Sequence, residues 1–192
     1  MRLGLRIQQP HRCRCRALTD ALGHHSLSCH RNPGRLPDLA ALNDVVYRPL
    51  GAAGIVPPPP LEPQGLDRGD GRRPDRSTVF LFRRGRIFMW DATCVNTCST
   101  LINDRALAAG AAASAAEHRK HRRYEDLARR YDFSPLAVET SGVLDPAFND
   151  LLQDIGSRIT KRSWEPQETT WLRQHISFVV ARGNAAAICG LH

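Results

Sequence analysis

Two groups of residues in this 192-residue chain have types and spacings that could do chemistry. The first is a set of soft ligands near the N-terminus. Cys13 and Cys15 lie one residue apart, and GHHSLSCH brings His24, His25, Cys29 and His30 shortly after. Two ligands from a tight knuckle and two from a later turn close a tetrahedral zinc site. Such a site orders a segment that has little core of its own. The preferred set is Cys13, Cys15, His25 and Cys29, although His24 gives an acceptable four-residue gap as well. The plainer alternative is a group of unpaired thiols in an unordered arm, and four potential ligands within 17 positions weigh against it. Cys94 and Cys98 follow an apolar strand and read as core thiols.

The second group is acidic. In GRRPDRSTVFLFRRGRIFMWDATC, residues 71–94, Asp75 precedes one apolar run and Asp91 closes the next. STVFLF and RIFMWDATCV are β-prone, and RRGR between them offers Gly85 for a positive φ. The start of the first strand of a hairpin lies beside the end of the second. With the turn centred on Arg84 and Gly85, Asp91 falls opposite Thr78, three residues from Asp75. Two carboxylates at one end of a hairpin suit Mg²⁺, which activates water and neutralises a phosphate under attack. Lys120 and Tyr124 stand at i and i+4 on the following helix and face one way. A lysine aimed at the carboxylates would stabilise a pentavalent phosphate or orient the water. Spacing alone leans slightly the other way, to a loop aspartate, a strand-end aspartate and a lysine on a solvated basic face.

The elements that must position these groups follow from periodicity and turn residues. A helix is expected over 37–50, where Leu39, Leu42, Val46 and Leu50 recur at helical spacing. Residues 56–74 are a proline- and glycine-rich loop. After the hairpin comes a long alanine-rich helix over 105–130, its first half small enough to lie close against a sheet. Its second half is basic and offers Arg119, Arg122 and Arg123 to a nucleic acid. A strand is expected over 134–142, with Glu139 near its end as a less secure acidic candidate whose plain reading is a surface carboxylate. Asp145 and Pro146 open the next helix as N-cap and first residue. A last helix over 166–188 carries Trp171, Leu172, His175, Ile176, Val179 and Val180 before Gly183 weakens it. The order implies an α/β domain with a small mixed sheet, residues 34–192, behind a Cys/His arm of residues 1–33.

Lys plus Arg number 27 against 19 acidic residues, for a net charge of +8. Arginine forks fit phosphates, so a polyanionic partner is expected, although a GC-rich coding bias also favours arginine. No stretch has the apolar length to span a membrane, so no membrane partner is expected, and the N-terminus has no signal-peptide core. Six cysteines are too few for a secreted disulfide scaffold, which points to an intracellular, reducing compartment.

In order along the chain, CRCRALTDALGHHSLSC, GRLPDLAALNDVV, GLDRGDGRRPD, WDATCV and VETSGV resemble the C-terminal region of non-LTR retrotransposon polyproteins. The class in question carries a restriction-like endonuclease after its reverse transcriptase, and the resemblance runs from about residue 2 to residue 190. It implies a restriction-endonuclease-like fold, a small mixed sheet flanked by helices, with an N-terminal zinc knuckle. Cys13, Cys15, His25 and Cys29 then match the knuckle with structural Zn²⁺. Pro74-Asp75 and Asp91 match the PD…D core of a PD-(D/E)xK nuclease holding catalytic Mg²⁺. Lys120 and Tyr124 match the lysine and tyrosine of the following helix, and Thr93 stands where the usual D-x-K lysine would be. The implied activity is nicking of target DNA to prime reverse transcription, with DNA and element RNA as partners, a polymerase upstream and a nuclear location. Relatives carry an Arg-His pair where this chain has Asp38-Leu39, and polymerase motifs are absent, which fits a truncated or inactive copy. The alternative function is a non-catalytic zinc- and nucleic-acid-binding module.

Overall fold

Apolar residues on both faces of one strand call for cover on both sides, and the architecture supplies it. The computed structural model describes residues 5–29, 31–32, 35–55, 73–83, 85–97 and 109–189, the side chains of 35–38 and 80 excepted. The Pro/Gly-rich loop, Cys98 and the first residues expected in the alanine-rich helix lie outside these ranges. The hairpin forms as β1 (Arg76–Arg83) and β2 (Arg86–Val95), with Gly85 at φ +64° in the turn. A third strand, β3 (Asp132–Glu139), runs parallel to β2, giving a mixed sheet in the order β1-β2-β3. Ahead of the sheet come α1 (His24–Ser28) and α2 (Arg35–Ala52). The crossover from β2 to β3 contains α3 (Ala111–Arg123) and α4 (Glu125–Arg130), and α5 (Pro146–Ser163) and α6 (Glu168–Cys189) end the chain.

The period-2 alternation of a strand divides the core into two layers. Phe88, Trp90, Ala92, Leu136 and Val138 face α2, α5 and α6 and form the main cluster with Leu42, Val46, Phe148, Leu152 and Ile176. Met89 and Phe133 turn the other way, to Tyr124 and Leu127. On that face Ala113 and Ala116 of α3 pack directly on Ala137. The alanine-rich helix therefore lies close against the sheet, as its composition requires, but it is broken. Tyr124 leaves helical geometry at φ −113° and ψ 25°, separating α3 from α4.

Helix α5 begins where sequence placed it. Asp145 caps it by accepting the Phe148 N–H at 2.9 Å, with Pro146 in the first turn. The Asp145 carboxylate also accepts the Ala137 N–H, and burial raises its pKa to about 6. Helix α6 continues through a buried Gly183 to Cys189, so that glycine does not end it. Trp171 and His175 face outwards on α6; Leu172, Ile176, Val179 and Val180 make its packed face. Among the described residues no helix is long and apolar enough to cross a membrane.

The α5–α6 contact depends on the missing side chain of Gly156. A Cβ there would lie 2.1 Å from Thr169 Oγ1 and 2.8 Å from the Thr169 Cα. Alanine gains about 1 kcal/mol of helix propensity over glycine, but overpacking against backbone costs about 1–3 kcal/mol. Gly156→Ala is expected to destabilise the fold by up to about 2 kcal/mol, seen as a lower urea midpoint at unchanged m-value.

Candidate metal and carboxylate sites

The hairpin register decides how the two aspartates meet. At the turn Arg83 pairs with Arg86, and Leu81 pairs with Ile87. Further on, Ser77 pairs with Met89 and Arg76 with Trp90. β1 therefore uses six steps from Arg83 to Ser77 where β2 uses three, and two irregularities absorb the excess. A bulged strand inserts unpaired residues and bends. Thr78 occupies one such place, fully buried, with Oγ1 accepting the Phe88 N–H at 3.0 Å in place of a ladder bond. The expected pairing of Asp91 with Thr78 is corrected by this slip. Extended one step beyond Arg76 and Trp90, the ladder puts Asp75 itself opposite Asp91.

Asp75 is held through one oxygen. Its Oδ2 accepts the Ala92 N–H at 2.8 Å and the Asn43 Nδ2 at 3.1 Å. Asn43 Oδ1 in turn accepts the indole N–H of Trp90 at 2.9 Å, and Trp90 is wholly buried as a core anchor. A second tie fixes the same end of β1, where Arg76 pairs with Asp44 at 2.8 Å and stacks over Tyr47. Asn43 had no signature in the sequence beyond being a polar residue beside Leu42 on a helix face. Its role exists only once α2 is packed on Trp90.

Asp91 is buried, at 7% exposure, on the α3 face of β2. Lys120 pairs with its Oδ1 and also donates to the carbonyl oxygens of Asp91 (3.3 Å) and Ala92 (2.9 Å). Burial raises the pKa of Asp91; Lys120 opposes the rise, and the neighbouring Asp75 charge adds to it. Tyr124 stands at the α3–α4 break rather than inside a helix, and its hydroxyl donates to Arg73 O at 3.0 Å. Burial and the Asp91 charge raise the tyrosine pKa. The structure thus brings Asp75, Asp91, Lys120 and Tyr124 together. Arg119, Arg122 and Arg123 lie exposed on the last turns of α3. Thr93 is half-buried on β2, Leu39 is half-buried on α2, and the Asp38 side chain lies outside the described residues.

Glu139 is neither a surface carboxylate nor near the other acids. It is 1% exposed at the end of β3, where Oε1 accepts the Ala112 N–H (3.1 Å) and Ala113 N–H (3.4 Å). Its other oxygen accepts from Ser141 Oγ at 2.9 Å. It therefore anchors the first turn of α3.

In the arm, an antiparallel bridge between Arg12 and Leu18 forms the knuckle, and α1 supplies His25 with Cys29 as its C-cap. The ligand atoms of Cys13, Cys15, His25 and Cys29 all lie within 4.8 Å of one another. Cys13 Sγ is 3.6 Å from Cys29 Sγ, and Cys15 Sγ is 3.1 Å from His25 Nε2. A tetrahedron with Zn–S bonds of about 2.3 Å has edges of roughly 3.7 Å, so the cluster has the size and ligand chemistry to hold zinc. His24 Nδ1 instead lies 3.0 Å from Asp20 Oδ2, and the ligand cluster takes in His25. The Cys15 pKa is lowered to about 7, first by a backbone hydrogen bond at Ala17, while burial pushes Cys29 up to about 11. Cys94 packs partly buried against the main core, as a core thiol should.

No protein-family model, curated protein or solved structure matches the chain. Two expected outcomes test the geometry. The purified protein should release one equivalent of zinc to a colorimetric chelator. His25→Ala should lose that equivalent and His24→Ala should keep it. Asn43→Leu leaves the Trp90 N–H unpartnered in the core and removes a donor from Asp75. Urea denaturation should show a loss of about 1–3 kcal/mol.

Proposed function

We propose that the chain is a metal-dependent DNA endonuclease domain with a restriction-endonuclease-like fold. It would be of the kind that follows the reverse transcriptase in non-LTR retrotransposon polyproteins and nicks target DNA to prime reverse transcription. The observation that carries this reading is the convergence of Asp75, Asp91, Lys120 and Tyr124 at one end of the hairpin.

The residues fit a hard divalent cation. Among the described residues Asp75 takes both of its hydrogen bonds on Oδ2, which leaves the lone pairs of Oδ1 for a ligand. Beside it, Asp91 carries a charge that burial and Asp75 both disfavour, which is the condition a cation relieves. Asp75 and Asp91 would hold Mg²⁺, which when bound supplies water activation and charge neutralisation at phosphorus. Lys120 sets a positive charge against the carboxylates, where negative charge develops on a phosphate under attack. Tyr124 is a positioning hydroxyl, and Arg119, Arg122 and Arg123 would follow the DNA backbone. The zinc arm has a structural part.

A second reading is favoured by one observation. The three protons of the Lys120 ammonium have three acceptors inside the protein: Asp91 Oδ1, Asp91 O and Ala92 O. A lysine so satisfied suits a structural pair in a non-catalytic zinc- and nucleic-acid-binding module, as does Asp38-Leu39 in place of a basic pair.

Nicking of supercoiled plasmid separates the two. With Mg²⁺ the protein is expected to convert supercoiled to open-circular DNA, and EDTA to stop it. The Asp75→Ala/Asp91→Ala variant should be inactive, and Lys120→Met should be slower by about 10²–10³. No Mg²⁺-dependent nicking, with DNA binding unchanged by these substitutions, leaves the non-catalytic reading.

A further inference from the structure

Helix α6 packs through Leu172, Ile176, Val179 and Val180, while Trp171, His175, Phe178, Arg182 and Ala185 on its outer face are exposed. Together with the half-buried Glu168 of its first turn, these outer residues alternate at intervals of three and four. That spacing draws one stripe along a helix and is the one by which helices pack on each other in pairs. Trp171 is 47% exposed and Phe178 62%, and Trp164, just ahead of the helix, is 87% exposed. Large rings gathered along one exposed stripe mark a contact surface.

The stripe is complementary to itself run backwards. Two copies of one helix related by a two-fold axis lie antiparallel, and every contact between them occurs twice. A register that sets His175 against Phe178 also sets Trp171 against Arg182 and Glu168 against Ala185. Sliding the helices by a turn strands Arg182 in one direction and Trp171 in the other. In the matched register the Arg182 guanidinium lies on an indole, a cation–π contact, with Glu168 of the second copy in the next layer. Arg182 makes no ion pair with a described residue, and Glu168 makes one hydrogen bond, through Oε1 to Ser163. The same arrangement carries the start of one α6, with its Trp164, to the end of the other. There an open cleft of about 740 Å³ runs between α6, the arm and the turn after β3. Ile7, Leu27, Val180, Ala185 and Ile188 line it, and among the described residues no charged group does. An indole in water and an uncharged cleft complete the match.

We propose that α6 is a dimerisation helix and that its outer face is covered by α6 of a second copy of this chain. Because α6 packs on the side of the sheet away from α3, the dimer leaves Asp91 and Lys120 uncovered in both copies, and its assignment does not rest on nuclease activity. One helix pair buries less than the ~1,600 Å² of a standard interface, so the Kd is expected at about 1–100 µM. The test is sedimentation velocity of the full chain across that range, which should show monomer passing to dimer and no larger species. Phe178→Asp should stay monomeric throughout, with an unchanged far-UV circular dichroism spectrum because Phe178 lies outside the packed face. Arg182→Glu and Glu168→Arg each set like charges together at both ends of the contact, and each alone should weaken dimerisation by roughly five- to ten-fold. Mixed, the two variants regain an opposite-charge pair at each end, and the mixture should dimerise as the unaltered protein does. If Phe178→Asp misfolds, the mixing experiment decides alone. A monomer at every concentration, a dimer that survives Phe178→Asp, or a mixture that associates no better than its components overturns the proposal.

Discussion

Asp91 is a carboxylate buried on the α3 face of the sheet, and much of this fold is arranged around giving it the cation of Lys120. Removing one partner of such a pair is far more costly than the pair is worth, so Lys120 must arrive at the right height on the neighbouring helix. Glu139 sets that height. It pairs in register with Val95 and binds the first turn of α3 at Ala112 and Ala113. From Ala112 to Lys120 the helix climbs eight residues, about 12 Å at its usual rise. From Val95 back to Asp91 the strand covers four residues, about 13 Å. The two distances agree, so a pin at one end of α3 delivers the ammonium at the other. Ala113 and Ala116 let the helix lie close enough for a lysine side chain to span the gap.

The opposite face of the sheet fixes the other carboxylate by a different route. Trp90 points into the main core and hands its indole proton to Asn43, which hands an amide proton to Asp75. Core packing and site geometry are thus one chain of contacts, and a shift of α2 on the sheet would turn the Asp75 carboxylate. The Cys/His arm joins the same body at the far end of β2. Asn96, just beyond that strand, donates to His24 O at 3.2 Å, while Asn32 grips the end of α6. Ordering the four soft ligands therefore also seats the arm on the sheet and on the last helix.

Much of this was legible in the sequence because it was local. Alternation in RIFMWDATCV, the Asp145-Pro146 start of α5 and the small residues of α3 each report the element they belong to. The four zinc-type ligands were readable because they lie close together, and only the contact of His24 with Asp20 was needed to choose between adjacent histidines. What could not be read depended on non-local packing. The three-residue slip in β1 has no signal in STVFLF, since a buried Thr78 replacing a ladder bond looks like any strand threonine. Glu139 looked like a surface acid because nothing adjacent in sequence reveals that the N-terminus of α3 arrives beside it. Tyr124 kept its place near Asp91 although the helix that was expected to carry it breaks there, because Phe133 and Leu127 hold its ring.

The slip in β1 bears directly on which reading of the acidic site is physically preferable. A structural role for Lys120 requires one carboxylate, and Asp91 alone would satisfy it. Bringing Asp75 opposite Asp91 adds a second negative charge that works against the ionised form of the first. Three extra residues in β1, the buried Thr78 among them, and an asparagine from another helix are all committed to that placement. Two carboxylates and one ammonium leave the cluster one charge short of balance in a poorly solvated place, and like charges so close disfavour each other. A fold with no use for another cation would be more stable with Asp75 turned to solvent. The arrangement makes physical sense if a second positive ion completes it, which is why the metal-dependent reading is preferred to a purely structural lysine–aspartate pair.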